Sequence, residues 1–312
     1  MRIACVSDMH RTVNDIGSRS LYPKRLHQMT ENDALMMYEK MHREVERSYR
    51  AAIAWLQNNG PWDYLLCLGD LAGGWQERGC NHPAARKVAR ETVAELRSIS
   101  PAYFCLGNHE TGYDTFSTSP GAGMTTESVE VCREIFGELW WLLELNDMAL
   151  LGICSPIEQY TGNDPTLLKY KQEQQEFIRS ALASSSMPWI LCTHDPFIVH
   201  SLRKILRPHL SRLRAMLFAD WHDPRKGRLA RIAGHILAPS LFTTTHCLKK
   251  GIMCPSTAPL WWGGYQLLMV NVDTEGMIHP TYIDIPKPED TEQLPVSSFW
   301  RALWWMLQPA KA

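Results

Sequence analysis

At 312 residues, with 45% apolar and 10% aromatic content, the chain has ample material for a buried core. A formal net charge of −1 excludes an overall basic coat for nucleic acid, and equally a strongly acidic surface. Nine cysteines lie scattered without C-x-x-C spacing, which predicts reduced thiols in a cytoplasmic protein rather than a disulfide framework.

The N-terminus enters an apolar run at once, over 2–7, so no signal peptide is expected. Further short apolar runs at 64–69, 102–106, 148–154, 188–193, 229–233 and 266–272 read as strands. Between them, 31–58 carries a helical stripe of Leu35, Tyr38, Met41, Val45, Tyr49, Ala52 and Leu56. Thr30, with Asp33 three residues on, is a candidate N-cap for it. Helical spacing also predicts helices over 83–98, 127–137, 165–185 and 203–218. No stretch approaches the ~18 apolar residues that a membrane span needs. Strands alternating with helices, and strands apolar on both faces, predict a sheet covered on both sides. Ligands in such folds collect at the carboxyl ends of the strands.

Short polar phrases stand at those ends. Ser7-Asp8-Met9-His10, Leu68-Gly69-Asp70 and Leu106-Gly107-Asn108-His109-Glu110 follow the first three strands. Thr193-His194-Asp195 and Ala233-Gly234-His235 follow later ones. Carboxylates, imidazoles and an amide in this mixture suit borderline and hard divalent ions. Any one phrase occurs by chance; five in order after strands are specific.

The order D-x-H, GD, GNH[DE], H, GH resembles the calcineurin-like metallophosphoesterase superfamily over roughly residues 1–285. The resemblance implies a four-layer α/β/β/α sandwich and two divalent ions, Mn foremost with Fe, Zn or Mg as alternatives. Asp8 and His10 would hold the first ion, Asn108, His194 and His235 the second, with Asp70 bridging. His109 would face the phosphate and serve the leaving oxygen, and Glu110 would orient its imidazole. A metal-bound hydroxide attacking phosphorus requires no covalent intermediate.

One residue departs from the family's pattern. Where the family ends GHxH, this chain reads Gly234-His235-Ile236-Leu237. Leucine cannot ligate, so the first site is expected to be the weaker. His246 is the nearest later histidine that could replace the missing ligand. The same departure supports the alternative function, a non-catalytic scaffold that keeps the fold with an eroded site.

Outside the motifs, nine cations (Arg203, Lys204, Arg207, Arg212, Arg214, Arg225, Lys226, Arg228 and Arg231) face only Asp220 and Asp223 in sequence. They are either a solvated surface or a rim attracting a phosphorylated substrate, nucleotide or nucleic acid. The polar segment from Arg11 to Thr30 borders the site as a surface loop or a substrate-selecting cap. Residues 286–312 form a tail in which Phe299, Trp300, Leu303, Trp304 and Leu307 make a helical stripe. That stripe docks on the 1–285 domain, supports dimerisation or partner binding, or lies at a membrane surface. The expected substrate is a small phosphorylated molecule, a phosphodiester or phosphomonoester.

Overall fold

The computed structural model describes residues 1–11, 31–72, 79–112, 123–145, 147–220, 242–258 and 264–287. His235 and Leu237, Thr30, the proposed strand at 229–233, most of the Arg11–Thr30 segment and the Trp-rich tail lie outside those residues.

Two five-stranded sheets organise the chain. In the first, β1 (Arg2–Val6), β2 (Tyr64–Cys67) and β3 (Ala102–Phe104) run parallel. β9 (Gln266–Val272) and β10 (Ile278–Asp284) extend it antiparallel from β1. In the second, β4 (Trp141–Glu144) pairs antiparallel with β5 (Ala149–Gly152). β6 (Trp189–Cys192), β7 (Leu213–Phe218) and β8 (Gly251–Met253) continue it in parallel.

Alternate residues of these strands serve different layers. Ile3, Cys5, Leu66, Leu150, Ile190 and Leu217 meet in one cluster between the two sheets. Ala4, Val6, Leu65 and Cys67 point the other way, onto α1 (Glu31–Asn59), α2 (Pro83–Ile99) and α4 (Thr126–Phe136). Leu151, Trp189, Leu191 and Leu213 cover the far side, with α6 (Pro165–Ser184) and α8 (Phe242–Lys249). Period-two alternation into two apolar layers is why the strands read as continuous hydrophobic runs. The expected four-layer α/β/β/α architecture is therefore what the chain adopts. Among the described residues the remaining short α-helices are α3 (Asn108–Thr111), α5 (Ser155–Gln159) and α7 (Arg203–Leu206).

The helix expected over 203–218 is the main correction. Only α7 is helical there; a 3-10 stretch, Arg207–Arg212, follows, and then strand β7. Pro208 removes an amide donor just after α7, and Leu213, Ala215, Met216, Leu217 and Phe218 are all buried. A strand buried on both faces lacks the alternation that would mark it. Within the basic stretch, Arg212 donates to the carbonyls of Leu182, Ser185 and Met187. It ties α6 to the second sheet. Arg11 is likewise structural: it is buried, bonded to both carboxylate oxygens of Glu46 and to Thr92.

All nine cysteines are buried and free. Among the described residues no helix is long and apolar enough to cross a membrane.

Candidate metal centre

The parallel ladders do not stop at the strand ends; they continue as single backbone bonds into the polar phrases. Asp8 N donates to Gly69 O (3.0 Å), His10 N to Asp70 O (2.8 Å) and Arg11 N to Leu71 O (2.9 Å). The loops after β1 and β2 are thus zipped side by side. Across the inter-sheet seam, His194 Nδ1 lies 2.7 Å from Leu68 O. A carbonyl only accepts, so Nδ1 carries the proton and Nε2 is turned into the site.

Close approach is possible because two positions lack side chains. A Cβ on Gly69, where φ is +96°, would fall 2.5 Å from His194 Nδ1. One on Gly107 would fall 2.1 Å from Asp70 Oδ1. The glycines of the GD and GN phrases are therefore space requirements.

The resulting cluster is compact and dry. Asp8, His10, Asp70 and His194 are all buried, and the His109 side chain keeps 22% exposure. Asp70 Oδ2 lies 3.2 Å from His194 Nε2, 3.8 Å from His10 Nε2 and 3.9 Å from His109 Nε2. His10 Nε2 is also 3.8 Å from Asp8 Oδ1, and the His10 and His109 rings meet edge-on at 4.8 Å. Asn108 opens α3 beside Gly107, and the His109 amide donates to Asp70 Oδ1 at 3.1 Å. Of the residues predicted from sequence, Asp8, His10, Asp70, His109 and His194 come together here, and Asn108 borders them through its backbone.

Backbone conformation marks the same residues. Asp8 (φ 48°), His10 (φ 45°), Asp70 (φ 55°) and Asp220 (φ 68°) occupy the left-handed region that non-glycine residues rarely adopt. Such strain persists where surrounding structure enforces it, and it concentrates at functional sites.

Burial opposes ionisation of Asp70, yet His194, His109 and His10 hold its carboxyl well below the usual range. Burial opposes protonation of His194, and Asp70, Asp8 and Asp220 outweigh it, raising its pKa well above the ordinary value. The carboxylates of the cluster thus favour positive charge among them.

A divalent ion fits that description. Asp8, Asp70 and His194 offer one set of ligand atoms within 4.8 Å of one another, and His10, Asp70 and His109 a second. Asp70 belongs to both, as a bridging carboxylate must. His194 Nε2 is buried and meets no protein partner at hydrogen-bonding geometry, although Asp70 Oδ2 is near. Mixed imidazole and carboxylate donors suit Mn, Fe or Zn.

Two sequence expectations change here. Glu110 is fully buried, and its carboxylate is taken up by backbone amides. Oε2 accepts from Asp70 N (2.9 Å) and Gly107 N (2.8 Å); Oε1 accepts from Leu71 N (2.6 Å) and Ala72 N (3.2 Å). It locks the Asp70 loop to the start of α3 instead of orienting the His109 imidazole. His246 sits on α8, where burial, Lys250, the Leu210 backbone and Lys249 govern its ionisation. It belongs to neither group of closely spaced ligand atoms among the described residues. Asp195 caps the turn after β6, accepting from Phe197 N at 2.6 Å.

The residue that sequence reading passed over is Asp220. Its Oδ1 lies 3.6 Å from His194 Nε2. Its signal was available in principle: an aspartate just past a strand, as in the other phrases.

A family model described as calcineurin-like phosphoesterase matches residues 1–239. Among solved structures, a dimetal phosphatase from Danio rerio is 12% identical, covering 92% of this chain and 99% of its own, at a TM-score of 0.46. A protein of unknown function from Aquifex aeolicus is 14% identical, covering 62% of this chain and 80% of its own, at a TM-score of 0.25. No functionally curated protein matches the chain significantly.

Proposed function

The chain belongs to the calcineurin-like phosphoesterases, and from that premise we propose a metal-dependent phosphohydrolase acting on a phosphodiester or small phosphomonoester. The observation that carries this reading is the position of Asp70, shared between two groups of ligand atoms. The two compact groups pair His10 with His109 and Asp8 with His194; we assign Asp8 and His10, 3.8 Å apart, to one ion with Asp70, and Asp70, Asn108 and His194 to the other, with His235 as a sequence-level candidate there and the more exposed His109 left for the substrate. Two bound divalent ions polarise a phosphoryl oxygen and make water nucleophilic near neutral pH; Mn is the ion we expect.

This chain's own residues supply the rest. Asp8 and Asp70 provide the negative charge that retains divalent cations. Leu68 O fixes the His194 tautomer, leaving Nε2 free to ligate. His109, the most exposed imidazole of the cluster and edge-on to His10, is placed to give a proton to the departing ester oxygen. Glu110 keeps the Asp70 and Gly107 backbones in register. The substrate reaches the site as a phosphorylated small molecule, with a nucleotide among the candidates.

The test is metal-stripped protein reloaded separately with Mn, Zn and Mg, then assayed on generic phosphomonoesters and phosphodiesters. We expect turnover that Asn108→Ala reduces sharply. Turnover unaffected by Asn108→Ala would sink the ligand assignment. Absence of turnover with every metal would favour the alternative, a binding scaffold that retains the fold.

A further inference from the structure

Resting on the metal-centre reading above, we infer that Asp220, at the carboxyl end of β7, is a metal ligand paired with His194. β7 lies next to β6 in the second sheet, and their parallel ladder runs on past both strand ends. Thr193 N donates to Leu217 O (3.0 Å) and Ala219 N to His194 O (2.9 Å). This pairing sets the residues following Thr193 and Ala219 side by side, which brings Asp220 Oδ1 to 3.6 Å from His194 Nε2.

The independent observation is His194 itself. Its Nδ1–H is committed to Leu68 O, so Nε2 is the nitrogen that faces Asp70 Oδ2 (3.2 Å) and Asp220 Oδ1 (3.6 Å). Nε2 is buried and has no protein partner at hydrogen-bonding geometry. Two carboxylate oxygens and an imidazole nitrogen come together here, a mixed donor set that a divalent cation would complete. Asp220 also shares the left-handed backbone of Asp8, His10 and Asp70.

The sequence repeats the spacing: Asp220-Trp221-His222 has the D-x-H form of Asp8-Met9-His10. His222 lies outside the described residues, and the inference rests on Asp220 alone. An aspartate at this position makes the site more anionic than an imidazole would. The harder oxygen donor favours Mn or Mg over softer ions.

The experiment titrates metal-stripped full-length protein with Mn by calorimetry and with Co by visible absorption, for wild type and five variants. Asp220→Ala and Asp220→Asn should weaken Mn binding about 100-fold and change the Co spectrum, since removing even groups behind a ligand costs 10–100-fold. Asp220→His should recover most of the affinity, because an imidazole can also ligate. Asp195→Asn removes a nearby charge that does not ligate, and should stay within about threefold of wild type. Thermal unfolding in EDTA identifies any Asp220 variant that has not folded, and Asp220→Asn, nearly isosteric, guards against that loss. Asp70→Ala separates the two readings: if it abolishes Mn binding while both Asp220 variants bind as wild type, the metal centre stands and this inference falls. A drop in Asp195→Asn equal to that in Asp220→Asn also overturns it, because charge and not ligation would then be responsible. Wild-type protein that binds no divalent ion overturns both readings.

Discussion

Replacing Glu110 by glutamine separates two accounts of the same residue. Each carboxylate oxygen holds two backbone amides, Asp70 and Gly107 on one side, Leu71 and Ala72 on the other. Glutamine keeps one acceptor oxygen and turns an NH2 towards the other pair, so two buried donors lose their partner. Each buried donor left unpaired costs about 1–3 kcal/mol. Burial and the charge of Asp70 both disfavour the ionised Glu110 carboxylate, so removing that charge returns part of the cost. The net destabilisation should be about 2–4 kcal/mol. At roughly 2–4 °C per kcal/mol, Tm should fall by roughly 5–15 °C. The assay is thermal unfolding in EDTA, with Mn affinity measured in parallel. Mn binding should weaken together with stability, because the loop carrying Asp70 loosens. Wild-type Tm combined with an altered pH profile of turnover would refute the backbone role and restore the imidazole-orienting one.

Three further outcomes follow from the same geometry. Gly107→Ala places a Cβ 2.1 Å from Asp70 Oδ1, so Mn affinity should fall by at least ~10-fold at a stability cost of about 1–3 kcal/mol; unchanged calorimetry would contradict that packing. Metal-free protein should lose stability as pH rises from neutral. His194 has a raised pKa, so its contribution is complete below its unfolded value and is lost as pH climbs through the folded one. A Tm in EDTA that rises between about pH 7 and 9 would contradict this, and added Mn should stabilise most on the alkaline side, where the cation takes the proton's place. Leu237→His restores the family phrase in sequence and should tighten the weaker Mn equivalent, the one assigned to Asp8 and His10, because Asp220 stands beside His194 at the other; unchanged calorimetry would argue that residue 237 does not serve that ion.

The motif phrases were legible because each sits where a buried apolar run meets polar residues. That boundary survives in the primary sequence. The helix 31–58 was equally readable: Val45, Tyr49, Ala52 and Leu56 are buried at helical spacing. The stretch 203–218 was not, because Leu206, Leu210, Leu213 and Leu217 also recur at helical intervals. β7 is covered on both faces, so no alternation betrayed it. Missing β7 meant missing the aspartate at its end. The role of Glu110 was hidden for a different cause: its partners Leu71 and Ala72 are backbone amides 39 and 38 residues away, and amides carry no side-chain signature.

By itself, then, the sequence determined the donor chemistry and a sheet covered on both faces, since these depend on residue type and on local hydrophobic order; the four-layer fold was legible only through the resemblance of its motif phrases to a known family. Only the tertiary structure decided which donors face one another. Convergence at the site depends on strand adjacency across two sheets: β1 with β2, β6 with β7, and Leu68 O against His194. Adjacency of that kind is a property of packing, and no spacing along the chain encodes it.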